Sequence, residues 1–339
     1  MLILWMTLVT FITAFILTGL MRAYALKKNI IDNPNERSSH TIPAPRGGGM
    51  AIVVTYLSVL IILLCLNYFS ITIGFTLIGA GLAIAVLGFL DDHGHINSMI
   101  RLLIHFIIAG SIVFALGGFS ETVLFNGHVS LGWFANIIAI LFLVWLLNLY
   151  NFMDGINGIA SIEAITTVLS IGVIYWGLNT ELMYQPLLLL AASVFGFILW
   201  NFPKAKIFMG DAGSGFLGLI LGIFSLIALK DSAALFCAWI ICLGVFIVDA
   251  TFTLIRRVLN GHKMYDAHRS HAYQHAAQKY KGHTGTSLAV CLINLIWLFP
   301  MAYIASQKYL MPELTLLIAY IPLIVLAVYY KAGNTEYDQ

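Results

Sequence analysis

Whatever chemistry this sequence supports falls to five aspartates and a few histidines and arginines. Asp91 and Asp92 are adjacent at the end of one apolar run, Asp154 follows a second, Asp211 precedes a third, and Asp249 sits inside a fourth. Two neighbouring carboxylates at the edge of a low-dielectric region repel unless a cation stands close. A divalent ion supplies that cation, and hard oxygen donors with no thiolate nearby favour Mg2+ or Mn2+ over zinc. The alternative for Asp91-Asp92 is a solvated acid pair at a helix end. Asn148, Asn151, Asp154 and Asn157 recur every three residues, so a helical or 3₁₀ stretch puts them on one polar stripe able to ligate or hydrogen-bond a substrate.

Two glycine-bearing segments add places for an anion. Phe208-Met-Gly-Asp211-Ala-Gly-Ser214-Gly215 opens an apolar run, where free N–H groups at a helix start suit phosphate, yet it lacks the G-K-[ST] of a Walker A loop. Pro45-Arg46-Gly47-Gly48-Gly49 sets a guanidinium beside flexible backbone, although Pro and Gly also mark ordinary helix starts. The segment around His268, Arg269, His271 and His275 has zinc-like i, i+4 spacing without the Glu of H-E-x-x-H, so it fits a polyanion better, with arginine forks on phosphate oxygens. A loop of ordinary histidines is the plainer alternative. His105 reads as a lone packed side chain.

The elements that must position these groups are membrane spans. Hydrophobic residues make up 60% of the 339 and charged ones 9%, which excludes a water-soluble globule. The four cysteines lie in apolar stretches without C-x-x-C spacing, and no basic tract is interleaved with aromatics, so neither a disulfide framework nor nucleic acid is expected. Eleven stretches approach the ~20 apolar residues of a spanning helix: 2–20, 48–68, 71–90, 102–119, 132–150, 158–178, 184–200, 215–229, 233–255, 287–304 and 314–330. The eighth is the shortest. The first has no basic segment before it and no cleavage motif, so it is expected to stay attached. With the N-terminus outside and the C-terminus cytoplasmic, fifteen of the seventeen Lys and Arg fall inside, as positive-inside topology requires. An all-α polytopic bundle forming a single domain over 1–339 is the expectation, and the five aspartates then converge on the cytoplasmic face. Ionisable groups at such depth are costly and usually retained for function.

The ordered set PRGGG, LDD, NFMDGINGIAS, WNFPKAKIFMGDAGSGFLG and a histidine-bearing last inner loop resembles the polyprenyl-phosphate N-acetylhexosamine-1-phosphate transferases, glycosyltransferase family 4, over about 46–275. That resemblance implies Asp91 and Asp92 as the paired acids of catalysis, Asp211 with Asp92 on Mg2+ or Mn2+, and Asn151, Asp154, Asn201 and Phe208 around the nucleotide. Arg46, His268, Arg269 and His271 would hold phosphate, with Asn157, Asp249 and His40 as further site residues. The segment HRSHAYQ looks like the O-antigen-initiating branch, and Asn157 departs from the Asp that many relatives carry there.

The resemblance implies attack by undecaprenyl phosphate on a UDP-N-acetylhexosamine (GlcNAc, FucNAc or QuiNAc), with release of UMP, in the bacterial inner membrane with the site facing the cytoplasm. The product would initiate lipopolysaccharide or related envelope glycans, and a homodimer stays open. Either carboxylate of the Asp91-Asp92 pair acts as base or both position groups; an aspartyl intermediate ranks lower. The competing class is an ion-coupled secondary transporter, which should show repeated halves and midplane acids. The sequence has neither an internal repeat nor that placement.

Overall fold

In the computed structural model, residues 1–34, 43–94, 96–124, 127–262 and 269–334 are described. The fold is nearly all helix. Long helices run over Leu2–Lys27 (α1), Gly49–Cys65 (α2), Ile71–Gly94 (α3), Ser98–Ala115 (α4), Phe134–Met153 (α5), Ile159–Gly177 (α6), Glu181–Asn201 (α7) and Asp211–Asp231 (α8). Then follow Ala233–Cys242 (α9), Gly244–Leu259 (α10), Ala272–Lys279 (α11), His283–Leu292 (α12), a π-helical turn at Ile293–Leu298, Phe299–Ser306 (α13) and Pro312–Tyr329 (α14). Two short antiparallel pairs complete it: Ile31–Asp32 (β1) with Ala44–Pro45 (β2), and Glu121–Leu124 (β3) with Gly127–Ser130 (β4).

Among the described residues nine helices are long and apolar enough to cross a membrane, ten if α9 and α10 count as one bent span. The chain is therefore a polytopic helical membrane protein. Each of the eleven stretches expected from sequence is helical; the second, α2, is 17 residues long. Large apolar side chains such as Leu4, Phe75, Ile107 and Ile296 stay exposed on the outer helices, as lipid contact allows.

Two expectations are corrected. The eighth stretch, the shortest by sequence, begins four residues earlier at Asp211, runs 21 residues and is 94% buried, the centre of the bundle. Its start is stabilised from another helix: the Asp92 carboxylate at the end of α3 accepts from the N–H groups of Asp211 (3.0 Å) and Ala212 (3.4 Å). Close approach makes this possible, since a Cβ on Gly88 of α3 would stand 2.5 Å from Ala212 backbone atoms. The ninth stretch is not one helix but bends by 74° at Leu243. Thr167 of α6 donates to the Cys242 carbonyl at 3.1 Å, so a backbone acceptor beside the break is satisfied inside the bundle.

Candidate active site

One end of the bundle is built around α8. The segment before it, 205–210, is fastened to the segment before α2: Phe208 N–H donates to the Pro45 carbonyl at 2.8 Å, and Gly48 and Gly49 N–H donate to the Phe208 and Met209 carbonyls at 2.9 and 2.8 Å. Gly49 and Gly213 then meet so closely that a Cβ on Gly49 would lie 2.4 Å from the Gly213 Cα. This brings Arg46, 165 residues away in sequence, onto Asp211.

The charges alternate in space. Arg46 Nε contacts Asp92 Oδ1 at 2.6 Å and its Nη2 donates to Asp211 Oδ1 at 2.8 Å. Arg101 Nη1 contacts Asp91 Oδ2 and also Asp211 Oδ2 at 3.2 Å. Ile96 N–H donates to Asp91 Oδ1 at 2.7 Å. The run Asp91, Arg101, Asp211, Arg46, Asp92 thus joins three carboxylates through two guanidiniums, with Asp211 in the middle. Burial opposes the Arg46 charge, but Asp211, Asp92 and Asp32 outweigh it and hold the guanidinium above its ordinary pKa.

In front of this run lies a polar cavity of about 250 Å³. Arg46, Asn151, Asp154, Asn157, Asn201, Phe208 and Asp211 all line it, so seven of the residues singled out in sequence come together. Asp154 is half-buried on the cavity wall, just past α5. Burial, with the Asp211 charge next, pushes its carboxyl well above the usual range, against the opposing pull of Arg46. A smaller pocket beside it joins Asp211 to Arg101, His105, Asn148 and Asn151.

Several expected roles shift. Asp91 and Asp92 are not among the residues lining the cavity. The Asp92 side chain is 1% exposed, and its oxygens are committed to Arg46 and to the start of α8. Asp92 thus caps α8 and anchors Arg46. Asn201 also has both amide atoms engaged by backbone, accepting from Gly158 N–H (2.7 Å) and donating to the Ile207 carbonyl (2.9 Å). It holds the start of α6 and the segment before α8 together at the cavity wall. Asn157 donates through Nδ2 to the Pro203 carbonyl at 3.1 Å, and its N–H points to His283 Nδ1 at 3.4 Å.

The last loop forms a separate cluster. Asp249 of α10 accepts from Ala272 and Tyr273 N–H, both at 2.9 Å, and from Thr253 Oγ1 at 3.1 Å, and lies 3.3 Å from His271 Nδ1. This acid caps α11 as Asp92 caps α8. His271 is 3% exposed and does not line the cavity, and neither does Arg269, whose guanidinium lies 3.2 Å from the side-chain amide of Gln278. Among the described residues both His271 and Arg269 are engaged with α11, away from the lining of this cavity. His40 and His268 lie outside the described residues.

Sequence reasoning passed over Arg101, Asp32, Gln274 and His283, the last three on the cavity wall, and set aside His105, whose Nδ1 is 3.3 Å from Asn148 Nδ2. Arg101 carried a usable signal: it is the only Lys or Arg between Arg46 and Lys204. Among the described residues no three His, Cys, Asp or Glu gather as a ready-made metal cage. The oxygen donors on the cavity wall include the carboxylates of Asp32, Asp154 and Asp211 and the Asn151 amide, Asp211 being paired with Arg46 and Arg101; all are hard oxygens suited to an ion that keeps part of its shell for a bound anion.

Residues 74–229, which span Asp91 to Asp211, match the model of glycosyl transferase family 4. The chain is 31% identical over 295 residues to a probable undecaprenyl-phosphate N-acetylglucosaminyl 1-phosphate transferase of Bacillus subtilis, covering 86% of this chain and 81% of the relative. It is 29% identical over 330 residues to a decaprenyl-phosphate N-acetylglucosaminephosphotransferase of Mycolicibacterium smegmatis, with 87% and 79% covered. A phospho-N-acetylmuramoyl-pentapeptide-transferase of Oceanobacillus iheyensis is 27% identical over 276 residues, with 74% and 82% covered. Similarity at this level along most of the chain, enclosing the acid–arginine run and its cavity, makes this chain a member of glycosyl transferase family 4.

Proposed function

We propose that this protein transfers an N-acetylhexosamine-1-phosphate from its UDP-sugar to undecaprenyl phosphate, releasing UMP, at the cytoplasmic face of the bacterial inner membrane. The observation that carries this reading is Asp211, on the wall of a polar cavity at one end of the bundle and bridged to two arginines. Relatives with similar chains are named for N-acetylglucosamine-1-phosphate transfer to polyprenyl phosphates, which supports the reaction class and favours GlcNAc. The resemblance of the HRSHAYQ segment to the O-antigen-initiating branch keeps FucNAc and QuiNAc beside GlcNAc as proposed donors, with a product that starts an envelope glycan such as O-antigen.

Two anions must meet, and the protein has little covalent work to do beyond neutralising and aligning them. Arg46 on the cavity wall, and Arg101 in the adjoining smaller pocket, are each held against Asp211, from which their N–H groups can transfer to phosphate oxygens. Phe208 offers a ring face to the uracil, with Asn157 and Asn151 at hydrogen-bonding positions on the wall. Asp211 and Asp154 would hold Mg2+ jointly with the diphosphate, the ion supplying charge neutralisation at the transferred phosphorus. Asp91 and Asp92 act through Arg101, Arg46 and the start of α8, as positioning residues. A transporter is not favoured: the cavity acids gather at one end with arginines, whereas a proton relay needs carboxylates in sequence across the midplane.

The test is UMP release by purified protein given undecaprenyl phosphate, Mg2+ and each UDP-N-acetyl sugar, with the lipid product identified by mass. One sugar is expected to give both UMP and the matching lipid diphosphate. Absence of UMP with every donor would overturn the reading.

A further inference from the structure

A second cavity, about 480 Å³ and almost wholly apolar, lies between α10, α11, α12 and α14. Val248, Ala276, Val290 and Leu326 are among its walls, and Tyr280 and Tyr330 stand at its edge with hydroxyls 3.3 Å apart. Above them Lys279 Nζ is 5.9, 5.8 and 4.5 Å from the rings of Tyr280, Tyr330 and Tyr329, and donates to the Tyr329 hydroxyl at 2.8 Å. Lys281 and Lys331 follow the two edge tyrosines directly and are exposed. Among the described residues none of these three lysines is in an ion pair. The pattern is an apolar slot under a belt of tyrosine hydroxyls and unpaired ammonium groups, at the level where lipid headgroups begin.

We propose that this slot holds an acyl chain of an anionic glycerophospholipid, its phosphate on Lys279, Lys281 and Lys331 and the edge tyrosines. Charge complementarity selects the occupant: three cations over an apolar slot fit a negative headgroup and leave a zwitterionic one without its advantage. The acceptor's own prenyl tail fits less well. Its phosphate must reach Arg46 and Arg101, and Tyr273 closes that side, lining the slot while its hydroxyl donates to the Phe152 carbonyl at 3.0 Å. The bound lipid would brace α11, which carries Gln274 into the polar cavity. Binding at the slot is independent of the sugar and of the reaction proposed above.

Native mass spectrometry of the purified full chain, titrated with dioleoyl phosphatidylglycerol, dioleoyl phosphatidylcholine or undecaprenyl phosphate, tests this. The unmodified protein should hold one phosphatidylglycerol at least 10-fold more tightly than phosphatidylcholine, and a Lys279→Glu, Lys281→Glu, Lys331→Glu variant should lose that preference. Ala289→Trp, which fills the slot, should weaken the adduct similarly. A photoactivatable phosphatidylglycerol on unmodified protein should label peptides containing Val290 or Tyr330, a readout that needs no variant to fold. Equal retention of both phospholipids, labelling elsewhere, or one-for-one displacement by undecaprenyl phosphate would overturn the proposal.

Discussion

Two groups of carboxyls sit inside this bundle, and they differ in company. At the charged end Asp91, Asp92 and Asp211 are interleaved with Arg46 and Arg101 beside a polar cavity. Within the bundle, Glu163 of α6 is fully buried and, among the described residues, in no ion pair. Its Oε2 accepts from Asn294 Nδ2 at 2.7 Å, and that nitrogen lies 2.8 Å from Thr166 Oγ1. Asn294 belongs to the π-helical turn, so this contact ties the tenth span to α6. A buried acid alone is not a signature of chemistry. The acids at the charged end face groups that an incoming anion can displace, whereas Glu163 has a neutral partner and lines neither the polar nor the apolar cavity described above.

The contrast can be broken by substitution. Replacing Asp211, which touches both arginines and the cavity, is expected to lower UMP release by about 10³-fold or more, comparable to losing a preorganised charge in a dry site. Asp211→Asn should still insert and melt within a few degrees of the unmodified protein. Next, Arg101→Ala should cost about 10²–10³-fold, with Arg101→Lys recovering only part, since one ammonium cannot span two carboxylates as a guanidinium does.

Glu163 should behave in the opposite way. Glu163→Gln keeps a hydrogen-bonding partner for Asn294 and should leave UMP release within about threefold, whereas Glu163→Ala leaves a void and an orphaned amide and should cost about 2–4 kcal/mol of stability. Thermal unfolding in detergent measures it. A loss of UMP release in Glu163→Gln as large as in Asp211→Asn would erase the distinction.

The smallest effect concerns Asp154. Its carboxyl titrates above the usual range in the folded protein, so the unfolded chain binds fewer protons between the ordinary carboxylate value and the raised one. Stability must then fall as pH rises through that window, by at most about 1.4 kcal/mol per unit. Asp154→Asn removes the effect. Melting curves of the two should coincide at pH below the ordinary carboxylate value, with the variant gaining as pH rises until the gap levels off. Mg2+ with UDP should narrow that gap by favouring the ionised carboxylate.

Much of this was legible in the sequence, for identifiable reasons. Helical stretches show through because an uninterrupted apolar run has few other stable forms in lipid. The residues of the polar cavity showed through as hydrophilic breaks at the ends of those runs. The bend at Leu243 did not, since the contact at the break comes from Thr167, 75 residues earlier in the chain. Asp92 and Asp249 were recognised as special, but each caps a helix other than its own, 119 and 23 residues on, and capping across elements leaves no local pattern. Glu163 was hidden by averaging, one acid in an otherwise apolar run. Arg101 was passed over although its isolation among 157 residues without another Lys or Arg, from Gly47 to Pro203, pointed to it.

Asp211 is the proposed point where the arginines, metal and substrate phosphate meet. The most direct measurement is UMP release by Asp211→Asn and Glu163→Gln side by side, in the same lipid, at saturating Mg2+ and donor. The expected result is loss by about three orders of magnitude in the first and near-normal turnover in the second. Turnover by Asp211→Asn within tenfold of the unmodified protein would contradict it.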